Sequence, residues 1–141
     1  DSYIGEGFES KAQGHGVHTW QNGDRYEGKW KMALKHGQGT NIFANGDSYV
    51  GEFKEGKPDG KGTFISHDGQ VYIGDFVQGL RHGKGKWRSS GDYASSNHYE
   101  GDFYDGLKQG FGEFKWTSGN HYKGEFIKDN REGYGEMYWN D

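Results

Sequence analysis

The chain has 141 residues, of which 27 are glycine, 17% are aromatic and none is cysteine, and its formal net charge is −4. The length is that of one domain. The absence of cysteine excludes disulfides, thiolate metal sites and a cysteine nucleophile, and the negative charge argues against nucleic acid as a partner. The glycine content is typical of a flexible chain, whereas the aromatic content is typical of a packed one.

A repeating unit that begins at a tyrosine accounts for both features. Consecutive units begin 23 residues apart, except for a step of 27 between the fourth and the fifth. Fixed periods of this length indicate a repeat architecture. We predict one array with units at residues 3–25, 26–48, 49–71, 72–98, 99–121 and 122–141, the fourth carrying a four-residue insertion, and we expect it to be an excerpt of a longer chain.

The first part of each unit predicts a β-strand. In the third unit, Tyr49, Gly51 and Phe53 are alternate residues, so they share one face of a strand. After a loop of about six residues, Gly60 and Gly62 begin a second alternation and predict a second strand. Each unit is therefore expected to be a β-hairpin.

Turn residues connect these predicted strands. Pro58 falls in the expected loop within the third hairpin, where no ladder hydrogen bond would be lost. Between units, pairs such as Asn22-Gly23 and Asp68-Gly69 suit turns that need positive φ. The expected fold is all-β, an elongated single-layer antiparallel sheet of hairpins.

The glycines within the strands are expected to be structural. Glycine normally weakens a strand, but here an aromatic residue recurs beside it on the same face, so a ring can lie over the bare backbone. The glycines assigned this structural role are Gly28, Gly37, Gly39, Gly51, Gly60, Gly62, Gly74, Gly83, Gly85, Gly101, Gly110 and Gly112.

The motif YxGxFxxGxxxGxG, present from Tyr49 to Gly62 and from Tyr72 to Gly85, resembles the MORN (membrane occupation and recognition nexus) repeat. Six consecutive copies cover essentially the whole chain. The resemblance implies an elongated antiparallel β array, and it indicates architecture better than function. Similar arrays occur in ciliary and cytoskeletal proteins, in membrane-apposed proteins and beside kinase or methyltransferase domains.

Two departures from the motif stand out. The first unit has Gly7 where the later units have an aromatic residue, and Phe8 follows one position later. The fourth unit carries its insertion within residues 89–98. An insertion in a repeat maps to a loop, which is either part of a binding face or a tolerated surface addition.

The sequence predicts no enzyme, no cofactor and no metal site. The segment from Gly56 to Gly62 contains Gly-Lys but lacks the spacing and the hydroxyl residue of a phosphate-binding loop. Among the histidines only His15 and His18 lie close together, and an offset of three sends them to opposite faces of a strand.

Aromatic side chains on one face of so thin a sheet are expected to line a groove. We predict a non-catalytic scaffold whose groove binds a protein partner (a peptide, a helix or a second array) in the cytoplasm, in a cytoskeletal or ciliary assembly or at a membrane-apposed site. Homodimerisation through the sheet edges is a further expectation. The predicted groove residues are Tyr26, Trp30, Tyr49, Phe53, Tyr72, Phe76, Tyr99 and Phe103.

A basic residue occurs eight or nine positions after each repeat tyrosine, and stacking would align these residues into a rim. The rim residues are Lys11, Lys35, Lys57, Arg81, Lys108 and Arg131. Binding of anionic lipid headgroups through this rim is one alternative function, and service as a regulatory module of a larger enzyme is another. On the face opposite the rings, Lys61 and Lys84 are placed to pair with carboxylates across the strands.

Overall fold

The computed structural model describes residues 1–140 and contains a single sheet of twelve antiparallel strands. Each strand pairs only with its neighbours in sequence, and no helix occurs within this range. The expected all-β, single-layer architecture is confirmed. The strands are β1 (Ser2–Phe8), β2 (Lys11–Thr19), β3 (Arg25–Lys31), β4 (Leu34–Ile42), β5 (Ser48–Lys54), β6 (Lys57–Ile65), β7 (Val71–Val77), β8 (Leu80–Arg88), β9 (His98–Tyr104), β10 (Leu107–Lys115), β11 (His121–Ile127) and β12 (Asn130–Tyr138).

The turn within each hairpin has two residues, so the expected six-residue loop is wrong. In the third repeat the turn is Glu55-Gly56, with φ of 50° and 88°, which is the pattern of a type I′ turn. Lys57 and Pro58 consequently belong to β6, and Pro58 lies opposite Phe53 rather than in a loop.

A β-bulge explains why the second strand begins earlier than expected. The register between β5 and β6 shifts between the pairs Gly51–Gly62 and Phe53–Pro58, so the bulge absorbs the residues assigned to the loop. Gly60 lies in this bulge with φ of 103°, a backbone conformation that favours glycine.

The turns between repeats have the expected glycine at positive φ, as at Gly23 with φ of 102°. Hydrogen bonds also tie most of these turns to the next. The Asp24 carboxylate accepts the backbone N–H of Ala44 at 2.7 Å, and the Asp47 carboxylate accepts that of His67 at 2.7 Å. These bonds hold consecutive turns in line at one edge of the array.

The core consists of tyrosine rings that lie over pairs of glycines. The Tyr49 hydroxyl donates a hydrogen bond to the Glu52 carbonyl oxygen at 2.8 Å, which places the ring across Gly51 and Gly62. A Cβ at Gly62 would lie 2.5 Å from Tyr49 Cζ, so any larger residue there would displace the ring. The two glycines therefore provide the space in which the ring is buried.

Edge-to-face contacts join these rings from one repeat to the next. Tyr49 contacts Phe53 of its own repeat and Phe76 of the following repeat, both with centroids 5.0 Å apart and planes nearly perpendicular. The same pattern recurs in the other repeats and runs from Tyr3 to Tyr122. We call this continuous chain of rings the aromatic ladder, and the sheet face that carries it the aromatic face.

Candidate interaction surface on the aromatic face

The eight residues predicted to line a groove form the core of the sheet instead. Tyr26, Trp30, Tyr49, Phe53, Tyr72, Phe76, Tyr99 and Phe103 are all between 0% and 6% exposed. They are buried because each tyrosine lies over a glycine pair and each neighbouring ring covers two tyrosines. The side chains of the aromatic face that remain accessible come mainly from the even-numbered strands and the turns that follow them.

A row of half-buried rings flanks the ladder. These rings pack against the core on one side and remain partly open on the other. Sequence reasoning did not assign them to a site, although their spacing of 15 or 17 residues from the repeat tyrosine was the available signal. The half-buried row comprises Trp20, Phe43, Phe64, Trp87, Phe114 and Trp116.

The six basic residues do not form one rim, which corrects the sequence expectation. Lys11 and Lys57 are the first residues of their strands and are exposed. The other four are the second residues of their strands and lie over rings of the aromatic face. These four are Lys35, 4.9 Å from the Trp20 centroid, Arg81, 5.2 Å from Phe103, Lys108, 5.8 Å from Tyr99, and Arg131, 5.3 Å from Trp116.

Burial changes the electrostatics of two of these cations. Burial lowers the pKa of Lys35, and the negative charge of the nearby Asp24 carboxylate opposes this shift. Lys35 Nζ donates a hydrogen bond to Asn41. Burial also lowers the pKa of Arg81, whose guanidinium donates a hydrogen bond to the Gly106 carbonyl oxygen. Both cations are therefore partly desolvated beside aromatic rings, a setting in which cation–π attraction is strengthened.

A cleft of about 360 Å³ interrupts the half-buried row at repeats three and four. Ser66 lines this cleft at the position, 17 residues after the repeat tyrosine, where the first two repeats carry Trp20 and Phe43, and Ser89 occupies the same position of the fourth repeat. The walls of this cleft include Phe64, Trp87 and Arg81. We call it the serine cleft.

The inserted segment of the fourth repeat is a closed loop beside this region. The Ser89 N–H donates a hydrogen bond to the Asn97 carbonyl oxygen, and the Asn97 N–H donates one to Ser89 Oγ. The hydrogen bonding differs beside this loop. The Gln70 side chain accepts a hydrogen bond from Trp87 Nε1, whereas the equivalent side chains of other repeats accept one from the next turn. The regular pattern resumes at Asn97, whose side chain accepts the Thr117 N–H.

Carboxylates on the opposite face stabilise the bulges. The Glu52 carboxylate accepts the Lys61 N–H at 3.3 Å, and the Asp75 carboxylate accepts the Lys84 N–H at 3.2 Å. The same bond recurs at Glu6, Asp102 and Glu125, whereas the second repeat has Lys29 at this position. The space left by the bulge glycine accommodates each carboxylate.

The expected ion pairs across the strands are present on this opposite face. Lys61 pairs with Asp75, and Lys84 pairs with Asp102. The hydrogen bond from Lys61 is the main cause that lowers the pKa of Asp75. In repeats five and six the lysine position is occupied by Phe111 and Tyr134, which are 58% and 70% exposed.

Within the described residues, no group of histidine, cysteine or acidic side chains is arranged to hold a metal ion. No helix of residues 1–140 is long and apolar enough to cross a membrane.

These features define a tandem β-repeat protein that presents one ring-lined face. The MORN repeat family model matches residues 3–25, 26–48, 49–71, 72–93, 99–121 and 122–141, so the chain belongs to the MORN repeat family. MORN repeats are generally protein- or lipid-interaction modules, and the family is known as non-enzymatic. A comparison with curated proteins gives no match.

Proposed function

We propose that this array is a non-catalytic scaffold that binds a protein partner along its aromatic face. The observation that carries the proposal is the half-buried row, in which rings pack on the core while keeping part of their surface open. Rings in this state gain further burial when a partner covers them, and aromatic residues are enriched at the centres of interfaces.

The ladder has a supporting role in this proposal. Tyr49 and Phe76 are at most 5% exposed, so they hold the sheet rigid without supplying contact area. A partner would instead contact residues such as Phe64, Trp87 and Trp116, together with the cations above the rings. A pre-ordered surface of this kind loses little conformational freedom on binding, which favours affinity.

The lipid alternative has less support than the protein partner. Four of the six basic residues lie over rings of the aromatic face, so they do not align into an exposed rim. The three exposed members of the set, Lys11, Lys57 and Arg131, would contribute only about 1 kcal/mol each at an anionic surface. The finer expectations, a cytoplasmic cytoskeletal or ciliary assembly, homodimerisation and service to a larger enzyme, stay part of this proposal.

Site-specific photo-crosslinking tests which face binds. A benzophenone amino acid is introduced singly at Trp116 on the aromatic face and at Phe111 on the opposite face, and cells expressing each form are irradiated. We expect one defined protein adduct from position 116 and none from position 111. Adducts from position 111 alone, or adducts with lipid alone from both positions, would contradict the proposal.

A further inference from the structure

The serine cleft is the place where the aromatic face departs most from its repeating pattern. The small side chain of Ser66 leaves open a space at the position where rings stand in the first two repeats. Phe64 and Trp87 line this space, and Trp87 is held by its hydrogen bond to Gln70. The cleft is therefore apolar, ordered and large enough for one or two side chains.

Arg81 places a positive charge in the wall of this cleft. Its guanidinium lies 5.7 Å from the Tyr72 ring centroid and donates a hydrogen bond to the Gly106 carbonyl oxygen. Within residues 1–140, no carboxylate is close enough to this guanidinium to form an ion pair with it. A guanidinium has five N–H donors, so the contact with Gly106 leaves most of its capacity to a ligand.

The surrounding charges also differ between the two halves of the array. Two residues before the repeat tyrosine, the first three repeats have an aspartate, namely Asp1, Asp24 and Asp47, whereas the last three have Gln70, Asn97 and Asn120. In the first half, Lys35 has Asp24 as a nearby negative charge. In the second half, Arg81, Lys108 and Arg131 share the aromatic face, and the nearby Asp129 carboxylate pairs with Lys108 at 3.2 Å and also acts on Arg81. The second half of this face therefore attracts anionic groups more strongly.

We infer that the serine cleft binds an acidic segment of the protein partner, with a carboxylate on Arg81 and a neighbouring apolar side chain between Phe64 and Trp87. This inference rests on the proposed function and specifies the chemistry of the partner. Arginine and carboxylate groups form charge-assisted, often bidentate hydrogen bonds, and the adjacent rings exclude water from them. The apolar side chain supplies the burial, and the carboxylate supplies the selectivity.

Binding of synthetic peptides tests the inference. The probe is a fluorescent peptide that alternates glutamate with leucine, and its matched control has glutamine in place of every glutamate. Fluorescence anisotropy measures affinity for the 141-residue chain. We expect the glutamate peptide to bind at least about tenfold more tightly than the glutamine peptide, the scale of one charged hydrogen bond.

Three variants locate the binding. Arg81→Met removes the charge and keeps an apolar stem, while Lys35→Met makes the same change at the corresponding position of the second repeat. Ser66→Phe fills the cleft with the residue that the second repeat carries at Phe43, so the fold should accept it. We expect Arg81→Met and Ser66→Phe each to weaken binding about tenfold and Lys35→Met to leave it within about twofold. Thermal unfolding of each variant establishes that it is folded.

The outcomes separate this inference from the proposed function. Equal binding of both peptides, or equal losses in Arg81→Met and Lys35→Met, would overturn the acidic specificity. If both peptides bind equally and Trp116→Ala weakens both, the aromatic face remains the binding surface. If neither peptide binds while vesicles rich in anionic lipid do, and Arg81→Met abolishes vesicle binding, the acidic-segment inference is overturned in favour of a membrane ligand.

Discussion

Adjacent residues of one strand meet very different surroundings on the two faces of this sheet. Tyr49 is 1% exposed on the aromatic face, whereas Val50, the next residue of β5, is 48% exposed on the opposite face. The aromatic face buries rings over glycine pairs, and the opposite face carries carboxylates and lysines that hold the bulges and pair across strands. A sheet one layer thick can therefore have a core on one side when the backbone itself forms the floor of that core.

The largest loss of stability is expected when a glycine beneath a ring is replaced. Gly62→Ala would place a Cβ 2.5 Å from Tyr49 Cζ, forcing the ring out of its site and breaking its hydrogen bond to Glu52. We expect a loss of about 4 kcal/mol of unfolding free energy, comparable to deleting a buried aromatic side chain. Chemical denaturation measures it. Gly91→Ala is the control, because nothing lies within 4 Å of its Cβ site, and an equal loss there would contradict the explanation.

A second test removes a ring from each face. Phe76 is 5% exposed and contacts both Tyr49 and Tyr72, so Phe76→Ala should destabilise the protein by about 3 kcal/mol. Phe111 is 58% exposed on the opposite face, and Phe111→Ala should change stability by about 0.5 kcal/mol or less. The midpoints of urea unfolding compare the two. Similar losses would mean that the faces do not differ as the burial indicates.

Alkaline pH should act on the aromatic face in particular. Burial raises the pKa of Tyr26 and of Tyr72 to about 12, from an ordinary value of 10.0. Because the folded pKa is the higher one, this contribution is fully present below pH 10 and is lost as the pH rises towards 12. We expect each tyrosine to lose up to about 2 kcal/mol of its contribution to the free energy of unfolding over this pH range. Circular dichroism measures the unfolding, and tyrosinate absorbance measures the ionisation. Tyr72→Phe should reduce the pH dependence, and an unchanged profile would exclude Tyr72 as a source.

The smallest expected effect belongs to the opposite face. Asp75→Asn weakens the bond to the Lys84 N–H and removes the ion pair with Lys61, so we expect a loss of about 1 kcal/mol. Lys61→Met removes the ion pair alone and should cost at most about 0.5 kcal/mol, since the Lys61 side chain is 75% exposed. The pKa of Asp75 is lowered in the folded state, so its contribution should disappear as the pH falls below its ordinary value of 3.8. Equal losses in the two variants would assign the whole effect to the ion pair.

The repeat, its strands and the shared face of the rings could be predicted because period and parity are visible in the sequence. The start of the second strand could not, since Gly60 in a bulge looks the same in sequence as a glycine in a loop. Because the basic residues were assigned to that loop, they were also predicted to align into one rim. Lys57 follows its repeat tyrosine by eight residues and Arg81 by nine, and a difference of one residue in a strand reverses the face.

The site was predicted less well than the fold for a related physical reason. Parity places Tyr49 and Phe53 on one face but does not say how much of each ring neighbouring rings cover. Their burial depends on contacts between repeats, which only the stacked structure reveals. Phe64 and Trp87 remain partly open because they lie beside the ladder rather than within it.

The pairing of each strand with its sequence neighbours alone has a consequence for cooperativity. In such a one-dimensional array, the free energy of unfolding is approximately a sum of terms within repeats and terms between adjacent repeats. Folding can therefore start in one repeat and propagate to its neighbours. Contacts between each repeat tyrosine and the ring of the following repeat supply the term between repeats, and Trp30 supplies it for Tyr3. The first repeat instead has a weaker term within its own hairpin, because Gly7 stands where the later repeats carry a ring. The first repeat should therefore lose its order at a lower temperature than the repeats that carry the ring.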